Sequence, residues 1–309
     1  MTSVTNEAPK RILVSTDFSK ASEAALYTGS TMAKHYGARL AVGHVAPLGG
    51  VLHPAFPKLE RLELLEVSEL ERRATAAVLA YTTNLIGKGE GDLDVLVAST
   101  SGSATADTIA QQAVDYRADL VVVGSHGRTG FERAWIGSVA ERVVRTSPCD
   151  VLVARAEKTN VRPGPVLAAI DLGETSTHVL RVAAREAKAR GSELVALYAL
   201  DAPNDMLPYG MLGPFGIYVA PPDPKGQDEL REAAEKTLRA ALEAADVRAK
   251  VTILEGRAPH EILRLAESQG ASLVVCGTHA RKGLARVALG SVAESVVRHA
   301  ACSVLVVRM

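Results

Sequence analysis

Leu120-Val121-Val122-Val123-Gly124-Ser125-His126-Gly127-Arg128-Thr129-Gly130 runs on to Gly137-Ser138-Val139-Ala140-Glu141-Arg142-Val143-Val144-Arg145. Four consecutive apolar residues read as a buried strand, and the segment from Ser138 reads as an amphipathic helix. Between them lies a glycine-rich turn. At a helix N-terminus the first amides have no intrahelical acceptor, and the helix dipole favours negative charge. Glycines let a backbone approach a phosphate and take positive φ without penalty. The stretch is therefore expected to cradle the phosphates of a nucleotide.

The pattern returns. Gly277-Thr278-His279-Ala280-Arg281-Lys282-Gly283 follows Leu273-Val274-Val275-Cys276, and Gly290-Ser291-Val292-Ala293-Glu294 follows it in turn. The chain reads as a tandem repeat. The first domain spans residues 1–157 and the second 164–309, with the linker at Ala156 to Pro165 and its clearest break at Pro163-Gly164-Pro165.

Bulk properties agree with two domains. The chain has 309 residues, 47% of them apolar, which is enough for two cores. Its 35 basic and 35 acidic residues balance, which argues against a nucleic-acid partner held by phosphate neutralisation. The three cysteines show no paired spacing, and no signal peptide or apolar span of membrane length is legible. A cytoplasmic protein with reduced thiols, free of membrane, is expected.

Arg11 to Ser15 forms a first strand. Ser19 caps a helix from Lys20 to Tyr36 that Gly37 closes. Leu40 to Val45 is a second strand, Ala46 to Pro57 a loop, and Lys58 to Ile86 a charged amphipathic helix. Leu93 to Ala98, Thr105 to Arg117, the Leu120 strand, the Ser138 helix and Val151 to Val153 complete a β-α-β-α-β-α-β-α-β unit. The second copy repeats this order from Val166, with a long loop at Leu200 to Gly226. Alternating strands and helices imply an α/β fold. Two tandem flavodoxin- or Rossmann-like domains are expected, each a five-stranded parallel sheet of order 3-2-1-4-5 with helices on both faces. The strands read as continuous apolar runs, which suits burial on both faces. Ligands of such sheets bind beyond the carboxyl ends of the strands, where strand order reverses. Asp17 and Gly124 would flank that crevice.

The spacing Gly124-x2-Gly127-x9-Gly137-Ser138, with Asp17 at the end of strand one, resembles the nucleotide-binding class of universal stress proteins in its tandem form. The resemblance covers nearly the whole chain. The Walker A sequence and the Gly-x-Gly-x-x-Gly fingerprint are absent. The resemblance implies ATP in the cleft, with Mg2+ as a companion of the nucleotide, and a role in stress survival or growth regulation. It places the phosphates on Ser138 and the Val139 backbone. It places Asp17 on the adenine or ribose side and Val45 against the adenine. Each residue also has a plainer reading. Gly124 and Gly127 suit an ordinary left-handed turn, Val45 suits the core, and Asp17 suits helix capping beside Ser19. Ser138 and Glu141 together make a capping box. Arg128 and Arg133 either neutralise phosphate or are solvated. His126, which recurs as His279, reads as loop packing or a phosphate hydrogen bond.

The second copy keeps Asp171, Gly277, Gly290 and Ser291 but places Ala280 where Gly127 stands, Ala199 for Val45 and Tyr198 for His44. A Cβ at a left-handed position costs about 1–2 kcal/mol and crowds a phosphate. The first site is expected to bind ATP. The second is expected to bind weakly, to bind something smaller, or to stay empty. Cys149, Cys276 and Cys302 suit either a thiol switch or, more commonly, small buried hydrophobes. No catalytic residue or metal cluster is legible. The expected protein is a regulator, not an enzyme, whose nucleotide biases a surface for a protein partner. The resemblance implies pairing of Val151–Ala154 with Val304–Val307 inside the chain, and a homodimer is left open. Two rivals remain: a slow ATPase or autokinase, and a nucleotide-independent interaction module.

Overall fold

The computed structural model describes residues 8–48, 67–89, 91–101, 104–125, 136–155, 163–173, 175–200, 224–278 and 289–308. The first repeat comprises β1 (Arg11–Thr16), α1 (Lys20–Tyr36), β2 (Arg39–Leu48), α2 (Val67–Ile86), β3 (Asp94–Ser101), α3 (Thr105–Tyr116), β4 (Leu120–Gly124), α4 (Ser138–Thr146) and β5 (Asp150–Ala154). The second comprises β6 (Val166–Ala169), α5 (Ser176–Arg190), β7 (Leu194–Leu200), α6 (Pro224–Ala245), β8 (Lys250–Glu255), α7 (Ala258–Ser268), β9 (Leu273–Gly277), α8 (Ser291–His299) and β10 (Ser303–Val307). The expected beginning of the second helix at 58–66, the linker at 156–162 and the loop at 201–223 lie outside the described residues.

The chain divides into two compact units, Glu7–Val161 with Thr278–Arg308 and Arg162–Gly277. Packing therefore groups α8 and β10 with the first repeat.

In the first unit the strands run β3-β2-β1-β4-β5-β10. The pairs β1–β2, β1–β4, β2–β3 and β4–β5 are parallel, which is the expected 3-2-1-4-5 order. Ile12, Leu13 and Val14 are all fully buried. Successive strand side chains point to opposite faces, so both faces of β1 are covered. The local signals work as their chemistry predicts. Ser19 caps α1 by accepting from the Ser22 amide at 3.2 Å, and Gly37 ends it at φ 64°. One boundary differs from expectation: Ala46, Pro47 and Leu48, read as loop, continue β2 and pair with Ser99, Thr100 and Ser101. Beyond His44 the ladder to β1 has ended, so β2 is paired there on one side only, where proline is tolerated.

β10 joins this sheet antiparallel to β5, with Val151 opposite Val306, Leu152 opposite Leu305 and Val153 opposite Val304. The pairing implied by the family resemblance is thus present. Equivalent positions of the two repeats meet here in pseudo-two-fold fashion. Arg145 bridges Glu141 at 3.1 Å and Glu294 at 2.8 Å, while Arg298 bridges Glu141 at 3.0 Å and Glu294 at 3.1 Å. Arg155 donates to the carbonyls of Cys302 and Val297 near the end of α8, and Arg308 donates to the Val144 carbonyl near the end of α4. A cation at a helix C-terminus satisfies orphan carbonyls and complements the dipole.

In the second unit β8-β7-β6-β9 are parallel throughout. Val166, Leu167 and Ala168 are fully buried, as are Val274 and Val275. Arg181 on α5 donates to the Ala244 and Ala245 carbonyls and so closes α6. Among the described residues no helix is long and apolar enough to cross a membrane.

Burial pushes the thiols of Cys149 and Cys276 from 9.0 up to about 12. Both stay protonated and weakly nucleophilic near neutrality, which favours the small-hydrophobe reading for these two over a thiol switch. Two outcomes are expected. Leu305→Ala should cost about 2–5 kcal/mol in urea unfolding, because it empties a site facing Leu152 within the core. An acid whose folded pKa is raised contributes stability that is full below its unfolded pKa and declines above it. The Cys276 contribution should therefore fall as pH rises from 9.0 towards about 12, and Cys276→Val should flatten the alkaline limb of the stability curve.

Candidate functional site

The carboxyl ends of β2, β1 and β4 lie side by side. Thr16 pairs with His44, which puts Asp17 and Val45 one step further along neighbouring strands. Val14 pairs with Val122, so β4 reaches Gly124 at the same edge of the sheet. The reversal of strand order between β1 and β4 falls here, as the sheet topology predicted.

Gly124 is explained by packing before any ligand is considered. A Cβ at this position would lie 2.6 Å from the Ala21 carbonyl carbon and oxygen and 2.9 Å from the Ser22 amide nitrogen. The first turn of α1 therefore presses backbone on backbone against the end of β4, and any side chain would force them apart. Beyond Gly124, the Ser125 amide donates to the Ala154 carbonyl at 3.1 Å and the Gly137 amide donates back to the Ser125 carbonyl at 2.8 Å. The second bond pins the start of α4 to the end of β4, whatever path the intervening loop takes. Gly127, Arg128, His126 and Arg133 lie outside the described residues.

The start of α4 corrects one expectation. Gly137, at φ −66° and ψ 145°, is the N-cap, with no side-chain cap, and Ser138 is the first helical residue. The capping box does not form. The Glu141 amide bonds to the Gly137 carbonyl at 3.0 Å, and the Glu141 carboxylate faces Arg145 and Arg298 instead. Ser138 is exposed and Val139 is 41% exposed. The amides of Ser138, Val139 and Ala140 precede the first intrahelical acceptor and lack intrahelical partners by geometry. With the serine hydroxyl not spent on capping, this end of α4 presents several donors and a positive dipole end together.

At the other wall, Asp17 Oδ1 accepts from the Ser19 amide at 3.0 Å. Among the described residues its second oxygen is unengaged, which leaves an acceptor available at the carboxyl end of β1. Val45 is 8% exposed, so its side chain belongs to the core. The open β1-side edge of β2 offers backbone groups from that position onward.

Sequence reasoning missed a support beneath Asp17. Phe18 adopts φ 62°, a left-handed conformation that costs a non-glycine residue about 1–2 kcal/mol. Its amide donates to Thr16 Oγ1 at 3.1 Å. Its ring lies 4.8 Å from His44 and 5.1 Å, edge-on, from Tyr81 of α2. Such ring pairs are each worth about 0.5–1.5 kcal/mol, enough together to offset the strained backbone. His44 Nδ1 lies 2.8 Å from the Thr16 carbonyl, so that nitrogen carries the proton. Phe18 and His44 are sequence neighbours of Asp17 and Val45, but the second repeat has Leu172 and Tyr198 at these positions, so the repeat itself gave no signal of the aromatic pair. Tyr81 sits too far along the chain for any spacing to reveal it.

In the second repeat, Asp171 Oδ1 accepts from the Gly173 amide at 2.9 Å and from the Ser176 hydroxyl at 3.3 Å. Leu172 takes φ 58°, so the left-handed residue after the aspartate recurs. Gly277 ends β9. Gly290, at φ −64° and ψ 147°, caps α8, with Ser291 its first helical residue. Asp171 and Gly277 belong to one compact unit, and Gly290 and Ser291 to the other. Ala280 and His279 lie outside the described residues. Among the described residues no group of three or more His, Cys, Asp or Glu side chains is placed to hold a metal.

The chain matches the family model for the universal stress protein family twice, over residues 9–155 and 164–308. A universal stress protein of Mycobacterium tuberculosis is 29% identical over 304 residues, covering 96% of each chain. One from Mycolicibacterium smegmatis is 28% identical over 302 residues, also covering 96% of each. Among solved structures, a universal stress protein from Archaeoglobus fulgidus superposes with a TM-score of 0.64 at 21% identity, covering 97% of this chain and 98% of its own. A Pseudomonas aeruginosa structure gives 0.64 at 20% identity, covering 98% and 94%. These structures bear on the fold alone. Two family matches in series, on two copies of one strand–helix order, make this chain a tandem member of the universal stress protein family.

Proposed function

We propose that the first repeat binds ATP and that the protein acts as a stress-survival regulator through nucleotide-dependent conformation rather than as an enzyme. The observation that carries this reading is the start of α4. It is capped by glycine backbone, its serine hydroxyl is not used for capping, and it is tied by the Gly137–Ser125 hydrogen bond to the strand end beside Asp17. Phosphates sit on the amides of Ser138, Val139 and Ala140, with Gly127 and Arg128 contributing from the loop. A Mg2+ ion accompanies them as part of the ligand. The adenosine lies towards Asp17 and the free edge of β2 after His44, where a carboxylate oxygen and strand backbone groups meet donors and acceptors of the base or ribose. In sequence Asp171, Gly277, Gly290 and Ser291 repeat part of this motif, but Ala280 stands in place of glycine, so the second repeat binds weakly, binds something smaller, or stays empty. The ligand shifts the protein towards one conformation only by as much as it binds that conformation better.

Gly124 is unsuitable as a test, because its substitution disturbs the packing of α1. Ser138→Asp is cleaner. A carboxylate in the first turn repels phosphate yet complements the dipole, so the ligand-free protein should be unchanged or more stable by about 0.3–1 kcal/mol. The unmodified protein should gain about 2.7 kcal/mol at ATP a hundredfold above Kd, seen as a rise in melting temperature. That rise should vanish in Ser138→Asp and shrink in Asp17→Asn. Titration should give close to one strongly bound ATP per chain, and phosphate release should stay below about 1 s⁻¹. An unmodified protein whose melting temperature ignores ATP would refute the assignment.

A further inference from the structure

The aromatic group under Asp17 has no role in phosphate binding and no counterpart among the residues assigned so far. Phe18 is wedged between His44 and Tyr81, at 4.8 and 5.1 Å. A second connection runs through hydroxyls. Thr16 Oγ1 donates to Ser22 Oγ at 3.0 Å, Ser22 Oγ donates to the Ser19 carbonyl at 2.8 Å, and the Tyr81 hydroxyl lies 3.5 Å from Ser22 Oγ. Ser22 and Thr16 are both buried. Thus one side chain, brought in from α2, touches both the ring that follows Asp17 and the hydroxyl pair that spans the turn containing Asp17. The turn itself carries a left-handed residue, Phe18 at φ 62°, and its ring is the side chain packed against His44 and Tyr81.

We infer that Tyr81 is a positioning residue for base recognition: through Phe18 and Ser22 it fixes the direction of the Asp17 carboxylate without touching the nucleotide. The inference rests on the nucleotide reading above and extends it to a residue on a helix that supplies none of the assigned ligand contacts. Its consequence is a division of labour. The phosphate end of the site is set by α4, which shares no assigned contact with Tyr81. The base end is set by the Tyr81–Phe18–His44 stack. Burial raises the Tyr81 phenol, with the Ser22 hydrogen bond opposing, so the hydroxyl stays protonated and able to donate near neutrality.

The test compares two ligands on the full chain: ATP, which engages both ends, and inorganic tripolyphosphate, which engages only the phosphate end. Tyr81→Leu should weaken ATP roughly three- to tenfold, the value of one aromatic contact, while leaving tripolyphosphate unchanged. Tyr81→Phe keeps the ring and should restore most of the ATP affinity. In the Asp17→Asn background, Tyr81→Leu should produce no further loss, because a residue acting through Asp17 has nothing left to act on. Phe18→Gly provides an independent route, since glycine accepts the left-handed backbone and only the wedge is lost; it should show the same ATP-selective weakening. Equal weakening of both ligands, undiminished loss in the Asp17→Asn background, or unaltered ATP affinity in Phe18→Gly would each overturn the positioning role while leaving ATP binding intact. Failure of the unmodified protein to bind ATP would overturn both readings at once.

Discussion

Backbone pressed against backbone at Gly124 sets the geometry of the first repeat. The first turn of α1 lies so close to the end of β4 that no side chain fits between them. That approach fixes where α1 begins, hence where the chain must turn after β1, and hence where Asp17 stands relative to the end of β4. The Ser125 carbonyl then accepts the Gly137 amide and anchors α4 on the opposite side. A crevice with a carboxylate on one wall and a helix N-terminus on the other follows from these two constraints. Its electrostatics follow as well: one wall offers an acceptor, the other unpaired donors and a dipole end.

Much of the fold was legible because its signals are local. Ser19 and Gly37 mark the ends of α1 by their own chemistry, and runs such as Leu120–Val123 can be buried on both faces only in a covered parallel sheet. Misreadings arose where a local signal competed with a distant partner. Pro47 suggests loop, yet pairing with β3 carries β2 through it. Ser138 and Glu141 have capping-box spacing, yet Glu141 is claimed by Arg145 and Arg298, the latter from the other repeat, and Gly137 serves as the cap. The left-handed Phe18 and its clamp by Tyr81 could not be read from spacing, because the stack exists only once α2 has packed against β2, β3 and α1.

The same competition separates the meanings of individual glycines. Motif spacing groups Gly124 with phosphate binding, whereas its immediate neighbours demand glycine for packing alone. Gly137 carries more ligand information, since it caps α4 without consuming a side chain. The serine that follows it is accessible for the same reason.

The antiparallel union of β5 with β10 has a further consequence. Subunits that associate as separate copies part on dilution and must carry every substitution twice. Here the matching strands share one polypeptide, so their meeting is intramolecular and independent of how much protein is present. Tethering also lifts the obligation of symmetry. Ala280, Tyr198 and Ala199 alter one copy while Gly127, His44 and Val45 keep the other as it was. A covalently joined pair can thus specialise one half and leave its twin to brace it.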